Sequence, residues 1–178
     1  WHVEAVGDPT KDSSGTQDRG TMESAASLYQ LLVDSFPDME TLEFPNIGRD
    51  SWPSLYRVAY FQAELLWTMK DWERCGPAFD KVVRLDPNGE FTADAAYAAV
   101  MCYNNLYTAQ WEARERETQG PEGEVAEAKG QYEPREMTEL ESRMEEVFKN
   151  YICVVGDDAD DLAQIKYRRA RIFYEANQ

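Results

Sequence analysis

Apolar residues recur along this chain with the period of an α-helix, and one arrangement of them occurs three times. The copies are Ala25-Tyr29-Leu32-Pro37, Cys75-Phe79-Val82-Pro87 and Met144-Phe148-Tyr151-Gly156. Residues at i, i+4 and i+7 lie on one face of a helix. The Pro or Gly that follows ends the helix, because Pro cannot continue it and Gly suits its last turn. The repetition predicts a protein built from helical repeats.

The middle copy extends backwards into a longer motif. Residues 56–89 resemble a tetratricopeptide (TPR) repeat, which is a helix–turn–helix of about 34 residues. The residues that match its small, large and terminating positions are Ala63, Leu66, Cys75, Phe79 and Pro87. Ala59 and Gln62 stand where this repeat usually has Trp and Leu. The resemblance implies an all-α fold, an irregular TPR-like α-solenoid of antiparallel helix pairs.

Two insertions are expected, because the three copies are unevenly spaced along the chain. They fall at about 38–53 and 112–136, and the second is predicted to be an exposed hairpin. Residues 1–20 are predicted to hold the end of a first helix and a mobile polar loop, and 21–178 the solenoid. Neither end reads as a polar capping repeat, so we expect a fragment of a longer array. The helices are predicted at about 21–36, 53–69, 71–85, 92–116, 136–154 and 165–177, with Thr21 and Ser24 as candidate caps of the first.

A partner-binding groove follows from the same resemblance, because the first helix of each TPR pair lines the concave face. Transferred by register, the groove residues are Arg57, Tyr60, Glu64, Trp67, Ala96, Val100, Tyr103, Asn104, Gln164, Tyr167, Arg171 and Tyr174. Large aromatic residues and Arg are the types that anchor protein interfaces. The alternative is that each aromatic side chain packs between neighbouring helices.

The charge of the chain narrows the class of partner. Its 34 acidic and 18 basic residues give a net charge of −16. Phosphate binding needs a basic surface, so a nucleic-acid partner is excluded. A basic protein or peptide fits this charge, while composition alone favours an acidic surface that is simply solvated. No apolar run is long enough to span a bilayer, so direct membrane insertion is not expected.

Chemistry-bearing motifs are scarce. His2 is the only histidine, and no Gly-rich phosphate loop is present. The acidic stretch 157–161 lacks the residue order of an EF-hand, and carboxylates before a helix are favoured by its dipole alone. The sequence therefore predicts no catalytic residues, no metal site and no cofactor, and a protein that is not an enzyme.

Three cysteines, Cys75, Cys102 and Cys153, lack the C-x-x-C spacing of metal or redox sites. Cys75 and Cys102 lie at similar distances on either side of one predicted turn, so a disulfide between them is geometrically possible. Cys75 occupies a position for a small apolar residue, and the sequence favours free, buried thiols. The odd third cysteine permits an extracytoplasmic location without requiring one.

A narrower resemblance concerns location. The stretches VEAVGDPTKDSSG, AYFQAELLWTMKDWERCGPAFDKVV and IKYRRARIFYEANQ are similar to long TPR proteins of myxobacteria, some of them envelope-attached components of gliding-motility machinery. This implies a protein–protein interaction scaffold of the bacterial cell envelope, periplasmic or associated with the outer membrane, with a cytoplasmic location left open. Two other hypotheses remain, a carbohydrate-binding or nutrient-uptake accessory protein and a passive structural spacer.

Overall fold

The computed structural model describes residues 1–7, 14–38, 54–118, 134–157 and 159–176, and within them the regular structure is entirely helical. The prediction of an all-α protein is confirmed. The helices are α1 (His2–Val6), α2 (Arg19–Ser35), α3 (Leu55–Thr68), α4 (Trp72–Leu85), α5 (Thr92–Thr118), α6 (Glu139–Val154) and α7 (Leu162–Glu175). Residues 39–53, in the first predicted insertion, and residues 119–133, in the second, lie outside the described residues.

Short polar side chains fix where the helices begin. The Asp18 carboxylate accepts the Thr21 N–H at 2.7 Å, and Ser54 and Asp71 cap α3 and α4 in the same way. Thr138 and Glu141 form a reciprocal capping box at α6. The prediction that Thr21 and Ser24 cap α2 is wrong. Asp18 starts that helix earlier because its carboxylate reaches the free N–H groups of the first turn.

The main contacts among the described helices join neighbours in sequence, from α1 against α2 to α6 against α7. Within the TPR-like segment, α3 and α4 are joined by a turn at Met69–Asp71 that has the hydrogen bonds of a Schellman motif. Lys70 N–H donates to the Trp67 carbonyl, and Asp71 N–H donates to the Leu66 carbonyl. Lys70 takes the left-handed position that glycine usually occupies, with φ 56°. The TPR-matching apolar positions between Ala59 and Phe79 are buried.

Tyr56 ties α3 to the start of α5. Its hydroxyl lies 3.0 Å from the Thr92 hydroxyl and accepts the Phe91 N–H at 2.7 Å. Gly89 allows this arrangement, since a Cβ at that residue would lie 2.4 Å from the Tyr56 ring carbon Cζ. The turn between α4 and α5 is therefore held against α3 by one buried phenol.

Cys75 of α4 and Cys102 of α5 are joined by a disulfide, with Cα atoms 5.8 Å apart. The sequence-based preference for free thiols is wrong, although the two cysteines do lie at matching heights. Both are fully buried between α4 and α5. Beside them, Gly76 lets the Tyr103 ring approach so closely that a Cβ would meet its Cε2 atom at 2.6 Å. Cys153 is free and exposed.

The helix α5 runs 27 residues, slightly beyond its predicted end. The first arm of the second insertion is therefore helical as far as Thr118. Trp111, near the start of that arm, is exposed. None of the helices that the structure describes is both long and apolar enough to cross a membrane.

Candidate functional site

Three helices, α3, α5 and α7, expose residues at the same positions when the residues of each helix are numbered from its first residue. Residues three, six, ten and thirteen are exposed or half-buried in all three helices. We call these twelve residues the outer row. They are Arg57, Tyr60, Glu64 and Trp67 of α3, Asp94, Tyr97, Met101 and Asn104 of α5, and Gln164, Tyr167, Arg171 and Tyr174 of α7.

The sixth residue of each of these helices is a tyrosine. Tyr60 is half-buried, whereas Tyr97 is 42% and Tyr167 68% exposed. Further along α7, Tyr174 is 80% exposed. A single exposed apolar residue is common and needs no functional explanation. Exposed aromatic side chains that recur at one position of several helices are less common and indicate a candidate binding surface.

The assignment of Ala96, Val100 and Tyr103 to the groove is wrong, because all three are buried. The groove positions of α3 were mapped onto α5 with an error of one residue. An offset of one residue corresponds to a rotation of about 100° around the helix axis, so the residues chosen in α5 lie on its buried side. Asn104 is half-buried in the outer row, and Tyr97, an exposed member of that row, is absent from the residues that the sequence assigned to the groove. A shared order of apolar residue, alanine and tyrosine is the sequence signal that identifies Tyr97: Val58-Ala59-Tyr60 in α3 and Ala95-Ala96-Tyr97 in α5, with the first two residues buried in both helices.

The Tyr60 ring lies where α3 meets α5. It stacks on Phe91 with ring centroids 4.4 Å apart and meets the Phe79 ring edge-on at 6.0 Å. Burial, followed by the nearby carboxylates of Glu64 and Asp94, raises the pKa of Tyr60 to about 12. Tyr60 therefore keeps its proton at neutral pH and can serve as a hydrogen-bond donor.

The other α3 members of the outer row are held by local contacts. Trp67 meets the Trp72 ring edge-on at 5.4 Å, and the Arg57 guanidinium lies 3.2 Å from the Glu90 carboxylate. Burial raises the pKa of Glu64, and a hydrogen bond from Tyr60 opposes that rise. On α5, the centroid of the Tyr97 ring lies 6.0 Å from the centroid of the Tyr151 ring. These contacts orient the aromatic rings while leaving Trp67 and Tyr97 partly in solvent.

A cavity of about 300 Å³ lies where α5, α6 and α7 meet, and we call it the α5–α7 cavity. It brings together two residues that the sequence assigned to the groove, Asn104 and Arg171. Arg168 also lines it, and part of its wall is apolar. Residues Gln164, Tyr167 and Tyr174 do not line this cavity and instead face solvent along α7.

The acidic stretch before α7 is used in packing. The Tyr151 hydroxyl donates to the Asp161 carboxylate at 2.5 Å, which connects the end of α6 to the start of α7. Burial and this bond raise the pKa of Tyr151. Among the residues that the structure describes, no three His, Cys, Asp or Glu side chains are grouped so as to hold a metal ion.

The fold and site define an all-helical protein with an exposed aromatic row. No protein-family model matches the sequence, and no curated protein or solved structure does so either.

Proposed function

We propose that this protein is a non-enzymatic scaffold that binds a protein or peptide partner along the outer row. The observation that carries the proposal is the tyrosine at the sixth position of α3, α5 and α7. Tyrosine offers a large rigid surface and a hydroxyl at a small cost in conformational entropy, and it is enriched among residues that dominate binding energy.

The proposed architecture is an irregular TPR-like α-solenoid of antiparallel helix pairs. Its support is the buried small and aromatic face of the α3–α4 helix–turn–helix and the packing of helices against their sequence neighbours. In such an array α3, α5 and α7 would be the first helices of successive pairs, and their outer row would line one concave groove.

Location in the bacterial cell envelope is part of the same proposal. It is supported by the disulfide between Cys75 and Cys102, because disulfides persist in oxidising compartments and are rare in the cytosol. A role among gliding-motility components rests on the resemblance of the three sequence stretches alone.

The test uses a variant with Tyr97→Ser, Tyr167→Ser and Tyr174→Ser, which leaves the half-buried Tyr60 in place to protect the fold. A photo-crosslinking amino acid at position 167 first identifies the partner in cells, and calorimetry with the purified partner then measures affinity. The matched control is Trp1→Ser with Leu31→Ser, two residues that are similarly exposed outside the outer row.

We expect the triple variant to weaken binding by more than tenfold and the control variant to leave it unchanged. Equal affinity of the triple variant and the wild type would refute the groove. Binding of glycans with no protein partner would favour the carbohydrate hypothesis, and the absence of any binder would favour a spacer.

A further inference from the structure

Asn104, which lines the α5–α7 cavity, has a buried side-chain donor that lacks an acceptor in the part of the chain that the structure describes. The Asn104 side-chain nitrogen Nδ2 is shielded from solvent and donates to no acceptor among the described residues. A buried donor left in this state costs about 1–3 kcal/mol. An acceptor that enters from the cavity and reaches this nitrogen would recover that free energy.

Two arginines line the same cavity, Arg168 from α7 and Arg171 one turn further on. Arg168 is half-buried and forms no ion pair with any residue that the structure describes. This is unexpected in a protein with almost twice as many acidic as basic residues. A guanidinium that is partly desolvated is stabilised by an anionic oxygen, because such charge-assisted hydrogen bonds are about twice as strong as neutral ones.

Glu141 is the acid in the cavity wall, and it is already engaged. Its two carboxylate oxygens accept from the Arg135 guanidinium at 2.7 and 2.8 Å, and the Thr138 N–H adds a third bond at 2.8 Å. Its charge is therefore balanced within the α6 cap. A singly charged ligand is tolerated beside this wall better than a doubly charged one.

Met144, Phe148 and Ile172 form an apolar part of the wall, beside Tyr107 and Thr108. An apolar wall beside cationic donors suits an anionic group attached to a hydrophobic body. A volume of about 300 Å³ is at the lower end of ordinary ligand sites and fits one or two amino-acid side chains.

We propose that the α5–α7 cavity binds a carboxylate of the partner protein, held by Arg168 and the Asn104 amide, with an adjoining apolar residue against Met144 and Ile172. The carboxylate comes from an Asp or Glu residue of the partner or from the partner's own C-terminus. This inference rests on the proposed function, because it assumes that the partner is a protein. The net charge of the chain suggests a basic partner, whereas the cavity calls for a partner that is acidic where it contacts the cavity.

The test titrates four short peptides into the isotopically labelled 178-residue protein. N-acetyl-Phe-Glu-amide presents the carboxylate of a glutamate residue, and N-acetyl-Phe-Leu with a free C-terminus presents a terminal one. N-acetyl-Phe-Gln-amide and N-acetyl-Phe-Leu-amide are their uncharged counterparts. The readout is the NMR signal of the Asn104 side-chain NH₂ group, assigned by its loss in Asn104→Leu, together with the Arg168 Nε–H signal.

We expect at least one acidic peptide to bind roughly tenfold more tightly than its uncharged counterpart and to shift both signals. The acidic peptide that binds identifies the source of the carboxylate. Arg168→Gln should weaken that binding by roughly tenfold, and Arg168→Lys, which keeps the charge, should weaken it less. The matched control Lys149→Gln removes an equal charge from an exposed position on α6 and should have no effect.

Equal binding of acidic and uncharged peptides by the wild-type protein would overturn the proposal, and this comparison does not depend on any variant folding. Full binding by folded Arg168→Gln would overturn it as well. Neither result would decide the test of the outer row, which substitutes Tyr97, Tyr167 and Tyr174 and measures binding of the partner itself.

Discussion

The disulfide between Cys75 and Cys102 should contribute several kcal/mol to the stability of the fold. It closes a loop of 27 residues that contains the whole turn between α4 and α5. In the chain-entropy treatment, a loop of that length removes about 12 cal/mol/K of entropy from the unfolded state, or about 3.5 kcal/mol at 25 °C. For a protein of this size, that corresponds to a fall in Tm of roughly 7–14 °C when the bond is removed.

The perturbation is the double variant Cys75→Ala with Cys102→Ala, compared with oxidised and reduced wild type in urea denaturation and in calorimetry. The variant and the reduced protein should unfold at similarly lowered urea concentrations. The matched control is Cys153→Ala, which removes an exposed free thiol and should leave the urea midpoint unchanged.

Thiol counting checks the same bond independently of stability. Without reductant, the urea-unfolded protein should react with one equivalent of maleimide, at Cys153, and with three equivalents after reduction. Three reactive thiols in freshly purified, unreduced protein, or identical unfolding of the oxidised and reduced forms, would refute the reasoning.

Two further predictions concern packing and pH. Gly76→Ala should lower the free energy of unfolding by about 1–3 kcal/mol, because its Cβ would collide with the Tyr103 ring, whereas Gly156→Ala, which meets no atom within 4 Å, should change the urea midpoint little. The Arg135 guanidinium, with the Thr138 cap, holds the pKa of Glu141 at about 2, below its unfolded value. Its stabilisation is therefore complete above pH 4.5 and lost as pH falls towards 2. The stability difference between wild type and Glu141→Gln, measured by urea denaturation, should shrink over that interval, and a constant difference would contradict this assignment.

Much of the helical framework could be predicted from the spacing of apolar residues. The buried faces of α4 and α6, built on Phe79 and Phe148, were predicted as such, because a face that repeats at i, i+4 and i+7 leaves few other ways to fold. In α2 the same pattern holds only in part, since Ala25 is buried but Leu32 is partly exposed.

The candidate site was harder to predict because it depends on rotation about helix axes. Tyr97 and Tyr103 are both aromatic residues of α5, and only the register of that helix decides which one faces solvent. A resemblance to a repeat gives that register to within a residue, which is not sufficient. The disulfide was missed for a similar reason. The sequence places Cys75 and Cys102 at similar positions along two antiparallel helices, but it does not reveal whether their side chains point at each other.

The packing of helices against their sequence neighbours also determines how the molecule opens. Among the described helices, α5 lies between α4 and α6 and is crosslinked to α4, whereas α7 rests mainly on α6. Amide hydrogens of α5 should therefore exchange through rare, extensive unfolding, and those of α7 through frequent local opening. The two most exposed tyrosines, Tyr167 and Tyr174, thus lie on a weakly protected helix. A partner that binds there would lose part of its affinity to the ordering of α7, and complex formation would be seen as slowed hydrogen exchange along that helix.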